Sequence, residues 1–310
     1  MKDFPRNESE IIAQIQRFGR SSGGAAARIG IGDDCAVLHA PAAGCELLAT
    51  TDQVIETKHF LRETHPAQAV GSKVITRGLS DIAAMGGRPT WFLLSLQLPD
   101  WTFGEWLEQF LQGMFDKIDE LQLSNFQLVG GDLAAAESFS AHVSVTGEAR
   151  SGEALLRSGA SPGDGLWVSG QLGGSALGFD LLASGAKDGP ALARHLYPHP
   201  RLELGEELRR RGATAAMDLS DGLSTDLARM AEASGVEARV DGHLLPLFDG
   251  ASREQGLHGG EDYELLFCAP ADFDSTGLDV TAIGEMRAGS GVWLTDEGRA
   301  LDAKGFDHFR

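Results

Sequence analysis

Cysteine is scarce in this chain: three residues in 310, Cys35, Cys45 and Cys268, scattered and without a C-x-x-C pairing. An odd, unpaired set argues against both a disulfide framework and a zinc site, and predicts reduced, packed thiols in a cytoplasmic protein. Positive charge is short as well, with 26 Lys and Arg against 45 Asp and Glu and a net charge of −19. That balance argues against nucleic acid or an anionic membrane surface as a partner. No apolar run approaches the roughly 20 residues of a membrane span. The first residues, Met1 to Glu8, lack the apolar core of a signal peptide. The P-loop pattern G-x-x-x-x-G-K-[ST] is missing, as are the H-R-D and D-F-G signatures of protein kinases. Nor does any Ser-His-Asp or Cys/His spacing point to a covalent nucleophile.

What the chain has instead is acid set among Gly, Ser and Thr. The runs are Gly32-Asp33-Asp34, Thr50-Thr51-Asp52, Leu79-Ser80-Asp81, Gly130-Gly131-Asp132, Asp218-Leu219-Ser220-Asp221-Gly222 and Gly259-Gly260-Glu261-Asp262. Several follow apolar, strand-like stretches, so each carboxylate is expected where a strand ends and a turn begins. Oxygen ligands offered from turns suit Mg²⁺, the usual bridge between protein and polyphosphate. Any single Asp of this kind also serves as a helix cap or Asx-turn. If Asp34, Asp52, Asp81, Asp132, Asp218 and Asp221 converge, divalent cations relieve their repulsion. The pattern predicts a magnesium–nucleotide enzyme that works by direct phosphoryl transfer.

Helical spacing is expected from about Glu8, with Asn7 as N-cap, and over Pro66–Met85, Phe103–Leu121, Ser175–Ala183, Arg201–Arg211 and Leu223–Ala233. Strands are expected at Ala36–Leu38, Glu46–Thr51, Trp91–Leu98, Phe126–Val129, Ala141–Val145, Leu166–Ser169, Ala215–Leu219, Tyr263–Cys268 and Val292–Leu294. The Gly/Ser-rich stretch from Arg150 to Gly165 reads as a domain entry. The fold class is therefore α+β, or mixed α/β, in two domains: 1–149 and 150–310. The order Leu-Ser-Asp then Gly-Gly-Asp/Glu occurs in both halves, which suggests a duplication, although short motifs also recur by chance. Arg157 is a candidate phosphate ligand or a surface guanidinium. His59 is a candidate ligand contact or a satisfied loop histidine. Glu261 and Asp262 could accept hydrogen bonds from a cationic or amino-bearing substrate.

Taken in order, these motifs resemble the thiamine-monophosphate kinase family, within the ATP-dependent superfamily of aminoimidazole ribonucleotide synthetase. The matching segments are residues 30–36, Thr51-Asp52 with His59-Phe60, Leu79–Gly86, Gly130–Asp132, Arg157–Ala160, Asp218–Leu223, Gly259–Leu265 and Lys304–Phe309. The resemblance implies a two-domain fold whose N-terminal domains pair through their sheets in a homodimer, with the active-site cleft beside the C-terminal domain. It implies transfer of the ATP γ-phosphate to thiamine monophosphate. On it, Asp34, Thr50, Thr51, Asp52, Asp81, Asp132, Asp218 and Asp221 would bind several Mg²⁺ ions, with Asp81, Asp132 and Asp221 as catalytic carboxylates. Gly131, Asp132, Arg157 and Ser220 would hold ATP; His59, Glu261 and Phe306 would contact the thiamine part. Gly78 stands where the family often has Asn, and Phe306 where a hydroxylated aromatic is common. Rival expectations are a sister ATP-dependent enzyme of the superfamily, or a non-catalytic acidic cation-binding protein.

Overall fold

The computed structural model describes residues 8–21, 27–29, 31 and 35–306. Asn7, the Gly32–Asp34 run and the tail from Asp307 lie outside the described residues. The chain divides into two compact units, Met1–Ile82 with Arg88–Ser151, and Ala83–Gly87 with Gly152–Arg310.

The first unit runs α1 (Glu8–Ser21), β1 (Ala27–Ile29), β2 (Val37–Leu38), β3 (Cys45–Ile55), α2 (Ala67–Ala84), β4 (Arg88–Leu98), α3 (Glu105–Glu120), β5 (Gln127–Ala135) and β6 (Ser140–Arg150). β1 and β2 form an antiparallel pair, and a four-stranded sheet has the order β3-β6-β4-β5. β6 is antiparallel to both β3 and β4, while β5 lies parallel to β4. Period-two alternation gives this sheet two unlike faces. Leu48, Val54, Phe92, Leu94, Leu96, Val143 and Val145 are buried. Helices cover that face: Phe92 meets Phe115 of α3 at 6.4 Å, and Gly78 of α2 lies directly against Val145. The alternate residues, among them Leu47, Thr51, Trp91, Leu93, Ser95 and Ser144, are half-buried or exposed.

The second unit continues with β7 (Gly165–Ser169), α4 (Gly174–Ala183), α5 (Pro190–Leu196), α6 (Leu202–Arg210), β8 (Ala215–Asp218), α7 (Leu223–Ser234), β9 (Glu237–Val240), α8 (Arg253–His258), β10 (Leu265–Ala269), β11 (Val280–Arg287), β12 (Gly291–Leu294) and β13 (Arg299–Ala300). Its sheet has the order β13-β12-β9-β11-β7-β10-β8, with β12 parallel to β9 and the remaining pairs antiparallel. Leu166, Val168, Met217, Leu227, Met230, Leu266 and Ile283 form its core.

The mixed α/β class holds, but three acidic runs are not turns. Thr50–Asp52 lies inside β3, Asp81 inside α2, and Gly130–Asp132 inside β5. Strand pairing across β6 and β4 extends β3 and β5 well beyond their apolar cores, a tertiary effect that overrides local composition. The repeated Leu-Ser-Asp is helical in the first unit and a loop in the second, so that echo is not structural. β10 starts at Leu265 rather than Tyr263, because Tyr263 has a left-handed backbone with φ of 51°.

Candidate active site

In the first unit, β3 presents Thr50 and Asp52 to the helix-covered side. There the Thr50 hydroxyl donates to Asp81 Oδ2 at 2.5 Å, and Arg77 Nε donates to Asp52 Oδ1 at 2.8 Å. Arg77 and Asp81 are four residues apart on α2 and so share one face of the helix. Thr51 points to the other side, donating to the Val143 carbonyl at 3.1 Å and lying 3.4 Å from the Ser144 hydroxyl.

Asp132 belongs to that second side. The pairing register runs Gln53–His142–Ser95–Asp132 in one row across the sheet. Three strand spacings of roughly 4.8 Å separate β3 from β5, about 14 Å in all. The structure thus brings Thr50, Asp52 and Asp81 together and sets Asp132 apart on the opposite face. A groove of about 990 Å³ lies over that face, lined by Trp91, Leu93, Ser95, Asp132 and Ser144 with Ile15 of α1. Beside Asp132, β5 comes so close to β4 that a Cβ on Gly131 would sit 1.9 Å from the Leu94 carbonyl oxygen. Only glycine allows that approach. His59 is mostly buried after β3, and its Nδ1 accepts from the Ile55 amide at 3.0 Å. That bond places the ring proton on Nε2 when the imidazole is neutral.

The second unit gathers three distant segments. Asp218 closes β8 and is buried. Beyond it the Ser220 carbonyl accepts from the Glu261 amide at 2.8 Å, and the Asp221 carbonyl accepts from the Phe306 amide at 3.0 Å. Two further bonds hold the tail to the first turn of α7: Gly305 N to Thr225 Oγ1 at 2.9 Å, and Lys304 N to Ser224 Oγ at 3.3 Å. Gly305 is packed so closely that a Cβ there would lie 2.1 Å from the Asp221 carbonyl oxygen. Ser220, Asp221, Glu261 and Phe306 therefore occupy one locality, with the Phe306 ring exposed. Arg157 is exposed; its carbonyl accepts from Ser234 Oγ at 3.0 Å, which ties its loop to the end of α7.

Several polar residues escaped the sequence reading. Arg229 Nη1 bridges Asp221 at 2.6 Å and Asp226 at 2.9 Å, while Asp226 accepts from the amides of Asp221 and Gly222. Burial, with the Asp221 charge, pushes Asp226 up to about 6. Glu264, fully buried, accepts from Arg201 Nε at 2.6 Å, Arg201 Nη2 at 2.5 Å, Arg194 Nη2 at 2.7 Å and Ser169 Oγ at 2.5 Å. Burial alone would raise its carboxyl, but Arg201, Arg194 and Ser169 outweigh burial and hold it below the usual range. Asp262, expected alongside Glu261 as an acceptor for substrate, is instead buried and accepts from the amides of Gly173 and Ser175 at the start of α4, and burial pushes it up to about 6. A lone Glu in the apolar run Tyr263–Phe267 was the available signal, since an acid there needs buried partners.

No three His, Cys, Asp or Glu side chains among the described residues gather as a metal cage. The candidate donors are instead hydroxyls and carboxylates: Thr50 with Asp81, Asp52 beside them, and, in the second unit, Asp218 at the end of β8 and Asp221 three residues on. This all-oxygen set fits magnesium, which takes one or two carboxylates and completes its shell with water and phosphate oxygens.

Residues 32–149 match the family model for AIR synthase related protein, N-terminal domain, and residues 161–296 that for the C-terminal domain. The class is thus defined: a two-domain AIR-synthase-related protein. The thiamine-monophosphate kinase of Escherichia coli (strain K12) is 41% identical, over 91% of this chain and 92% of its own length. A crystal structure of thiamine-monophosphate kinase from Stenotrophomonas maltophilia K279a superposes with TM-score 0.82 at 36% identity, covering 94% of this chain and 96% of that one. AaThiL complexed with AMPPCP and TMP superposes with TM-score 0.80 at 32% identity, covering 97% of each chain. The chain belongs to the thiamine-monophosphate kinase family. No helix among the described residues is long and apolar enough to cross a membrane.

Proposed function

We propose that this chain is an ATP-dependent phosphotransferase that converts thiamine monophosphate to thiamine diphosphate. A terminal oxygen of the substrate monophosphate attacks the γ-phosphorus of ATP, the bond to the bridging β,γ-oxygen breaks, and ADP leaves. The observation that carries this reading is the meeting of three segments in the second unit. Ser220 and Asp221, read as nucleotide and metal residues, are bonded through the backbone to Glu261 and Phe306, read as thiamine contacts. A carboxylate suits the cationic thiazolium or the aminopyrimidine, and an exposed phenyl ring suits stacking.

Thr50, Thr51, Asp52, Asp81, Asp132, Asp218 and Asp221 would hold Mg²⁺, with Asp34 from outside the described residues. Bound magnesium supplies neutralisation of phosphate charge, which a chain of net charge −19 otherwise repels. On this reading Asp81, Asp132 and Asp221 would be the carboxylates of the transfer itself, Gly131, Asp132, Arg157 and Ser220 would bind ATP, and His59 would contact the thiamine part. The half-exposed sheet face that carries Asp132, opposite the helix-covered face, supports a homodimer in which the first units pair through their sheets. Reduced thiols and the use of ATP fit a cytoplasmic setting.

The test is ADP release from ATP and Mg²⁺ with thiamine monophosphate and free thiamine in parallel, and an EDTA control. Turnover confined to the monophosphate, lost with EDTA, is expected. Asp132→Asn should abolish turnover with an unchanged melting curve; full activity in that variant removes Asp132 from the site.

A further inference from the structure

Glu261 sits in a backbone conformation that side chains seldom adopt, with φ of 63°, and Tyr263 repeats it with φ of 51°. Left-handed non-glycine residues are strained and persist only where surroundings enforce them. Around Glu261 the enforcement takes the form of a closed ring of contacts. Asp262, turned inward, accepts from Gly173 N at 2.6 Å and Ser175 N at 3.0 Å. The Ser175 hydroxyl, on α4, lies 3.1 Å from Nδ1 of His195 on α5. The same Nδ1 stands 3.7 Å from Glu261 Oε2. Ser175 and His195 are buried, at 1% and 4% exposure, and the Phe179 ring packs edge-on to the imidazole at 5.6 Å. The ring of side chains therefore leaves the backbone at Glu261 and returns to it at the next residue. The Glu261 side chain keeps 22% of its surface open.

We propose that Asp262 and His195 are positioning residues for Glu261, which fix its loop and side chain so that the substrate's cationic or amino-bearing ring meets a carboxylate already in place. This rests on Glu261 contacting the thiamine part. Asp262 clamps the loop to the start of α4. His195 limits where the Glu261 carboxylate can swing. Neither touches substrate; each lowers the ordering cost that binding would otherwise carry.

Steady-state kinetics on the full chain with ATP, saturating Mg²⁺ and thiamine monophosphate test this. The variants are Glu261→Gln, Asp262→Asn, His195→Leu and His195→Asn, whose amide nitrogen takes the place of Nδ1. Asp262→Asn and His195→Leu are expected to raise KM for thiamine monophosphate about tenfold, with kcat and the KM for ATP within about twofold. His195→Asn should recover most of the loss. In a Glu261→Gln background neither substitution should add to the effect, since each acts through that carboxylate. If Asp262→Asn does not fold, the His195 pair carries the test. Should Glu261→Gln raise KM while the positioning variants leave it unchanged, or depress kcat and both KM values alike, the inference is overturned. If Glu261→Gln itself changes nothing, the reading of Glu261 as a substrate contact fails, and positioning fails with it.

Discussion

Glu264 offers the sharpest energetic test of the second unit. Its carboxylate is fully buried and faces four donors, from Arg201, Arg194 and Ser169. Glu264→Gln keeps the volume but brings an amide N–H₂ against two guanidiniums that can only donate, and removes the charge that both balance. Taking one partner from a buried ion pair costs about 3–5 kcal/mol. Arg194 and Arg201 keep 21% and 25% of their side-chain surface, so water can partly resolvate them and the lower end applies. For a unit of this size each kcal/mol moves Tm by about 2–4 °C, so a loss of about 3 kcal/mol predicts a fall of about 6–12 °C. Scanning calorimetry on wild type and variant measures this directly. A fall of under about 2 °C would refute the view that Glu264 anchors β10 to α5 and the Arg201 turn.

Two further outcomes follow from particular residues. Asp262 has its folded pKa raised from 3.8 to about 6 by burial. Its contribution to stability is thus fully present below about pH 3.8 and lost as pH rises through about 6, a difference of about 3 kcal/mol. Urea unfolding between those pH values should show a steeper decline in wild type than in Asp262→Asn, and equal slopes would count against it. Gly305→Ala puts a methyl 2.1 Å from the Asp221 carbonyl oxygen. It should displace Phe306 and raise KM for thiamine monophosphate about three- to tenfold, with little change in Tm; an unchanged KM would detach the tail from the site.

The sequence was most legible where periodicity and punctuation agreed. α3 and α7 end within about two residues of expectation, which is ordinary for boundaries read from pattern, and the apolar cores of β4, β6 and β10 lie where their strands were expected. It was least legible where partners decide the outcome. Nothing local marks Gly130-Gly131-Asp132 as strand interior; only pairing with β4 makes it so. α5, α8 and β9 are too short to carry a clear period, and β11 contains a bulge between Ala282 and Gly284 that breaks its alternation. The candidate acids were visible as residue types, but not the face each would take. Asp52 and Asp132 differ by register, and register is a property of the sheet. His195, Arg194 and Arg201 carried no local signal, because their partners lie 63 to 70 residues away or across two helices.

The way the second unit ties Ser220–Asp221 to Glu261 and to Phe306 bears on when, during folding, the protein becomes able to bind. Glu261 lies 41 residues after Ser220 and Phe306 lies 85 after Asp221, with α7, β9, α8 and β10–β13 between them. Contacts of such long sequence separation are slow to form, because closing the intervening loops costs entropy before any contact repays it. The Ser220–Glu261 bond waits on β10 entering between β7 and β8, and the Phe306 bond waits on the chain traversing the far edge of the sheet at β12 and β13. A partly folded chain can hold every one of these side chains and still lack their arrangement. On the proposed reading of Glu261 and Phe306 as substrate contacts, binding is a late event that reports completion of the whole unit.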